Sequence, residues 1–106
     1  MAKIILHHQG AYQLYETIAD GPVYVSALTF EQLKKAVMVH GGQAALANLP
    51  DSLERAHRTG CSSMDGATLK ECISTNRAGH NETTLPEAEF IARWLTLPPH
   101  DSEGSQ

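Results

Sequence analysis

The chain has 106 residues, of which 42% are hydrophobic and 19% charged, with a formal net charge of −4. This length predicts one domain that buries roughly two-thirds of its unfolded surface, and the composition excludes wholesale disorder. The acidic balance has the wrong sign for a protein whose main partner is a polyanion. The apolar run Ile4-Ile5-Leu6 is too brief for a signal-peptide core or a membrane span, so the expected setting is the cytoplasm, with no membrane partner.

The first part of the chain reads as strands over 4–8, 12–18 and 23–28, separated by Gln9-Gly10 and Asp20-Gly21. Asp-Gly is a hairpin signal, because both central residues of a type I′ turn need positive φ. A two-residue loop at Asp20 and Gly21 sets Ile18 opposite Val23, Leu14 opposite Ala27, and Tyr15 opposite Ser26. One face then carries Tyr12, Leu14, Ile18, Val23, Val25 and Ala27 toward helices. The other carries Gln13, Tyr15, Thr17, Tyr24 and Ser26 as a half-wet surface. Glu16 falls on the core face and is expected to snorkel out at the sheet rim. His7 and His8 project to opposite faces of their strand and cannot chelate one ion while extended.

Beyond Leu28 the pattern is helical. Thr29-Phe30-Glu31-Gln32 fits a capping box, and Gly41 is a natural stop for a helix over 30–40 whose inner face is Phe30, Leu33, Val37 and His40. Met38 and Val39 lie off that face. A short helix over 43–49 should end at Pro50, and an amphipathic one over 51–59 should stop at Gly60. A further helix is expected over 67–77, burying Leu69, Cys72 and Ile73. In Thr84-Leu85-Pro86-Glu87, Thr is the expected cap of a last helix reaching about 97, with an apolar arc of Ala88, Phe90, Ile91, Trp94 and Leu95. The expected fold is therefore α+β: an antiparallel sheet of about three strands packed by three to five short helices, forming one domain over 1–97 with a flexible polar tail over 98–106.

Val39-His40-Gly41-Gly42-Gln43-Ala44-Ala45-Leu46-Ala47-Asn48-Leu49 resembles the opening of a Cro-type helix-turn-helix, which implies DNA reading through 43–60. In that reading Lys34, Lys35, Arg55 and Arg58 are the phosphate contacts. They face three acids between Phe30 and Gly60, Glu31, Asp51 and Glu54, so the segment is only slightly basic. The second half departs from the pattern: where apolar anchors and a turn glycine belong, the chain has Pro50, Asp51, Ser52, His57 and Gly60.

His57, Cys61, Cys72 and His80 have the chemistry of a tetrahedral zinc set, but without paired ligands at knuckle spacing. In a reducing cytoplasm both cysteines are expected to be free thiols, and the candidate nucleophiles are Cys61, just before a helix start, and Cys72, within one. No nucleophile elbow, phosphate loop or HExxH motif occurs. The expected function is thus non-catalytic and free of cofactors: a small accessory, inhibitory or regulatory factor, of bacterial or phage anti-defence type. It would act by protein–protein contact through Tyr15, Tyr24, Met38 and Val39, with a homo-oligomer compatible with the same surface. The alternative is a DNA-binding regulator with a degenerate helix-turn-helix.

Overall fold

In the computed structural model, which describes residues 3–97, Gln9 (φ 48°) and Gly10 (φ 83°) both take positive φ and form the two-residue turn of a tight hairpin. They join strand β1 (Lys3–His8) to β2 (Ala11–Glu16), in register from His8 opposite Ala11 to Lys3 opposite Glu16. A two-residue strand β3 (Gly21–Pro22) completes an antiparallel sheet of order β1-β2-β3. Four α-helices follow: α1 (Phe30–Ala47), α2 (Leu49–Thr59), α3 (Leu69–Cys72) and α4 (Glu87–Trp94), with a 3-10 turn at His80–Glu82. The α+β class is as expected. Among the described residues, no helix is long and apolar enough to cross a membrane. The tail expected over 98–106 lies outside the described residues.

The second hairpin differs from the expected register. Tyr15 pairs with Pro22 and Glu16 with Gly21, so the loop spans 17–20 and Gly21 belongs to a strand. Ile18 and Val25, expected in the core, are exposed as a result. After Val23 N–H donates to the Leu14 carbonyl, the chain leaves β2 and returns only at Leu28, which exchanges both backbone bonds with Tyr12. The excursion is held by a side chain. Gln13, fully buried, accepts from Tyr24 N–H at 2.9 Å through Oε1 and donates through Nε2 to the carbonyls of Tyr24, Ser26 and Trp94, each at 3.2 Å. Its two amide hydrogens are shared among those three acceptors. A glutamine thus stands in for the missing strand ladder.

Both faces of the sheet are covered. On one, Ile5, Tyr12 and Leu14 pack with Leu33, Ala36 and Val37 of α1 and Leu49 and Ala56 of α2. On the other, Leu6 and Tyr15 pack with Leu69, Ile73, Phe90 and Leu95. The half-wet surface expected for Gln13 and Tyr15 is therefore a second core, because the chain beyond α2 crosses to that side. Burial of a side chain such as Phe90 contributes about 1.5–3 kcal/mol, and its ring lies 6.1 Å from that of Tyr15. Glu16 sits at the sheet rim as expected, paired with Lys3 at 3.2 Å.

The helices are of the expected type and differ from expectation in extent. The Thr29–Gln32 capping box is present, with Gln32 N–H donating to Thr29 Oγ1 and Thr29 N–H to Gln32 Oε1. The buried face of α1 is Leu33, Ala36 and Val37, while Phe30 at its start and His40 just before the Gly42 break are exposed. The break comes at Gly42 (φ 69°, ψ −160°), one residue beyond the expected stop, after which the chain is helical again to Ala47. Pro50 lies in the first turn of α2 instead of ending the helix before it, since a proline there forfeits no helical hydrogen bond. Gly60 closes α2 in the left-handed region at φ 95°; a Cβ there would lie 2.7 Å from Leu69 Cβ.

The helix expected over 67–77 is only α3. Ser74 Oγ donates to the Glu71 carbonyl and Asn76 Nδ2 to that of Ile73, side-chain bonds that compete with helix continuation. Thr84 does not cap α4; Pro86 holds that position without a side-chain cap. The preceding strap is held by Asn76, fully buried, whose amide donates to the Leu85 carbonyl and accepts from Leu85 and Ala78 N–H. The helix also ends at Trp94, short of 97.

Cys61 and Cys72, expected as free thiols, form a disulfide. Cys61 is fixed beside Leu6 by a β-bridge and Cys72 ends α3, so both meet in the second core. Compartment alone favours thiols and carries no information about this convergence.

Candidate interaction surface

Of the residues expected to meet a partner, Tyr24 and Val39 lie together. With Leu28, Gln32, Lys35 and Ala36 they line a shallow hollow of about 330 Å³ between the 23–28 excursion and α1. The floor is Leu28 and Ala36, both buried members of the first core. Gln32, Lys35, Ala36 and Val39 share one helix face at spacings of three and four, which sets one wall. Tyr24 sets the other. Its backbone is clamped by Gln13, and its hydroxyl meets His40 Nε2 at 3.0 Å with the rings edge-to-face at 5.8 Å.

Val39 is 76% exposed, and Val25, next to Tyr24, is 94% exposed. Isolated apolar side chains on a surface need no explanation, but Val39 lines the same hollow as a ring held in place by its own hydrogen bond. Met38 is exposed one position from Val39, outside the lining of the hollow. Tyr15 is not available to a partner: it is 1% exposed inside the second core. Its hydroxyl is buried and makes no hydrogen bond among the described residues. Burial, then the neighbouring Asp20 carboxylate, pushes its pKa far up, although the carboxylate falls short of hydrogen-bonding geometry. Nothing in the strand alternation distinguished Tyr15 from Tyr24; what separates them is the crossing of the chain to the second face.

The cations expected on nucleic acid are dispersed in role. Lys34 pairs with Glu31 at 3.2 Å and lies over the Phe30 ring. Arg55 turns inward, its Nε donating to the Ser62 carbonyl at 2.8 Å. Lys35 lines the hollow, and Arg58 is exposed. Between α1 and α2 stands only Asn48, not the three- or four-residue turn of a helix-turn-helix. The small-residue stretch Gln43-Ala44-Ala45-Leu46-Ala47 packs as the last part of α1, with Ala45 and Leu46 against the first core.

The proposed zinc set does not assemble. The two thiols are consumed in the disulfide, which also removes Cys61 and Cys72 as nucleophiles, and among the described residues no group of three or more His, Cys, Asp or Glu forms a metal site. His57 instead bonds Tyr12 Oη through Nε2 at 2.8 Å, with the His7 ring edge-on at 4.5 Å. His7 Nε2 accepts from Gly10 N–H at 3.2 Å, so His7 is held as a neutral acceptor. Desolvation, then the neighbouring His57 and His8, lowers its pKa. The spacing of His7, Tyr12 and His57 offered no sequence signal for this cluster. No protein-family model, curated protein or solved structure matches the chain.

Proposed function

We propose that the chain is a small non-catalytic binding protein that acts by protein–protein contact through the Tyr24–Val39 hollow. The observation that carries this reading is the exposed Val39 in one hollow with a tyrosine fixed by His40 and Gln13. Aromatic anchors at the centre of a contact, with apolar neighbours that exclude water, are the features that concentrate binding energy. An accessory, inhibitory or regulatory role fits a protein of this kind. The Cys61–Cys72 bond favours an oxidising setting over the cytoplasm.

The test is affinity capture with wild type beside Tyr24→Ala and Val39→Asp. A partner retained by wild type and lost by both variants, with their melting curves intact, supports the reading. A partner that binds all three chains equally would place the contact elsewhere and defeat it.

A further inference from the structure

A second, deeper opening lies where β1 begins and β2 ends. It is a groove of about 820 Å³ between the sheet, the later half of α1, the start of α2 and the 62–64 loop. Its apolar floor is Ile5, Leu14, Val37 and Leu49, each less than a tenth exposed, so the opening reaches the first core. Clefts of this volume, mostly apolar with a few polar groups, are typical of small-molecule sites.

The rim decides the class of ligand. Lys3 and Arg55 are both on it, with the Asp51 carboxylate in the lining and Glu16 paired with Lys3 at 3.2 Å. Arg55 makes no ion pair among the described residues, so it is the cation that the mouth leaves for an anionic group. Arg55 is preorganised: its Nε is tied to the Ser62 carbonyl and one terminal nitrogen reaches Ser52 Oγ at 3.5 Å, leaving guanidinium N–H groups for an acceptor. Lys3 carries two further donors beyond its pairing with Glu16. The geometry points to a site for a small amphipathic carboxylate, its head between Arg55 and Lys3 and its aliphatic body over the apolar floor.

This inference stands apart from the Tyr24–Val39 contact, which lies on the far side of His40. The probe is octanoate, titrated by backbone-amide NMR, with octylammonium as the charge-reversed control. Octanoate should give saturable shifts at the amides of 3–5, 44–49 and 62–64, and octylammonium none. Arg55→Gln should weaken octanoate about tenfold, as expected for loss of a charge-assisted bond, and Ala44→Phe, on the exposed rim, should block it. If Arg55→Gln does not fold, Lys3→Gln replaces it with the same expected direction. Absence of saturable shifts, equal binding of octylammonium, or undiminished binding in the folded charge variants would overturn the proposal.

Discussion

Replacing Gln13 by leucine keeps the volume of the side chain and removes the side-chain bonds that tie the middle of the 23–28 excursion to the sheet, leaving the backbone bonds of Val23 and Leu28 at its ends. The carboxamide serves four backbone groups: Tyr24 N–H at 2.9 Å and the carbonyls of Tyr24, Ser26 and Trp94 at 3.2 Å. A buried polar group left without its partner costs about 1–3 kcal/mol. Tyr24 and Trp94 are half-buried and Ser26 is exposed, so water can reach part of this set. Counting two of the four as orphaned gives about 2–6 kcal/mol, and the extra apolar surface of leucine returns roughly 1–2 kcal/mol. The expected net loss is centred on about 2.5 kcal/mol, within bounds of about 0–5 kcal/mol, a large share of the 5–15 kcal/mol typical of a domain. Urea unfolding followed by circular dichroism measures it, and hydrogen exchange at Tyr24 N–H locates it. Gln13→Glu should be worse at neutral pH, because it keeps the acceptor but turns a carboxylate toward three carbonyl oxygens. An unfolding free energy within about 0.5 kcal/mol of wild type for Gln13→Leu, with Tyr24 N–H still protected, would refute the idea that this side chain substitutes for a ladder.

Tyr15→Phe removes a buried hydroxyl that has no hydrogen-bond partner among the described residues, so thermal unfolding should find the variant as stable as wild type or more so, by up to about 1–2 kcal/mol. A clear loss would mean that the hydroxyl is satisfied in solution. The folded pKa of His7 lies below its ordinary value of 6.5, so the unfolded chain binds the proton first. Its contribution to stability is complete above pH 6.5 and declines as the pH falls through the folded pKa, and His7→Gln should remove that part of the slope in a pH series of urea midpoints. An unchanged slope would exclude His7 as its source. Gly60→Ala meets both a φ of 95° and a Leu69 Cβ 2.7 Å from the new carbon, and should cost more than the roughly 1 kcal/mol of an ordinary left-handed alanine. Chemical denaturation of that variant reads the loss directly, and a neutral result would mean that α2 can end in another way.

The local signals that could be read from the sequence are those with a single physical cause. Thr29 and Gln32 cap α1, and Gly60 ends α2, because orphan N–H groups and a left-handed terminus leave few alternatives. The exposure of Val39 and Met38 also followed from helical spacing. What was not legible depends on contacts distant in the chain. Strand alternation placed Gln13 and Tyr15 on one face correctly, but it carries no information about what covers that face. Asp-Gly predicts a two-residue loop for the second hairpin, whereas the structure puts Gly21 in a strand with Pro22 beside it, which shifts the register. Asn76 and Gln13 look like surface residues in composition; each is fully buried because it satisfies backbone groups that no helix or strand serves. At the candidate surface, Tyr24 and Val39 share the hollow, Tyr15 is buried in the second core that strand alternation does not reveal, and Val25, expected in the interior, is exposed.

The shortness of β3 has a bearing on recognition. Proteins with long open sheet margins can capture an extended partner segment by adding it as a further strand. In this chain the outer side of β1 is already taken at Ile5 and His7, through bonds to Ser62 and Gly60, and β3 consists of two residues, one of them a proline without an N–H. Neither margin can serve as a template for an incoming backbone, which also guards the fold against edge-to-edge aggregation. Selectivity for any partner then has to be written in side chains, so single substitutions at the proposed Tyr24–Val39 surface should be enough to erase it.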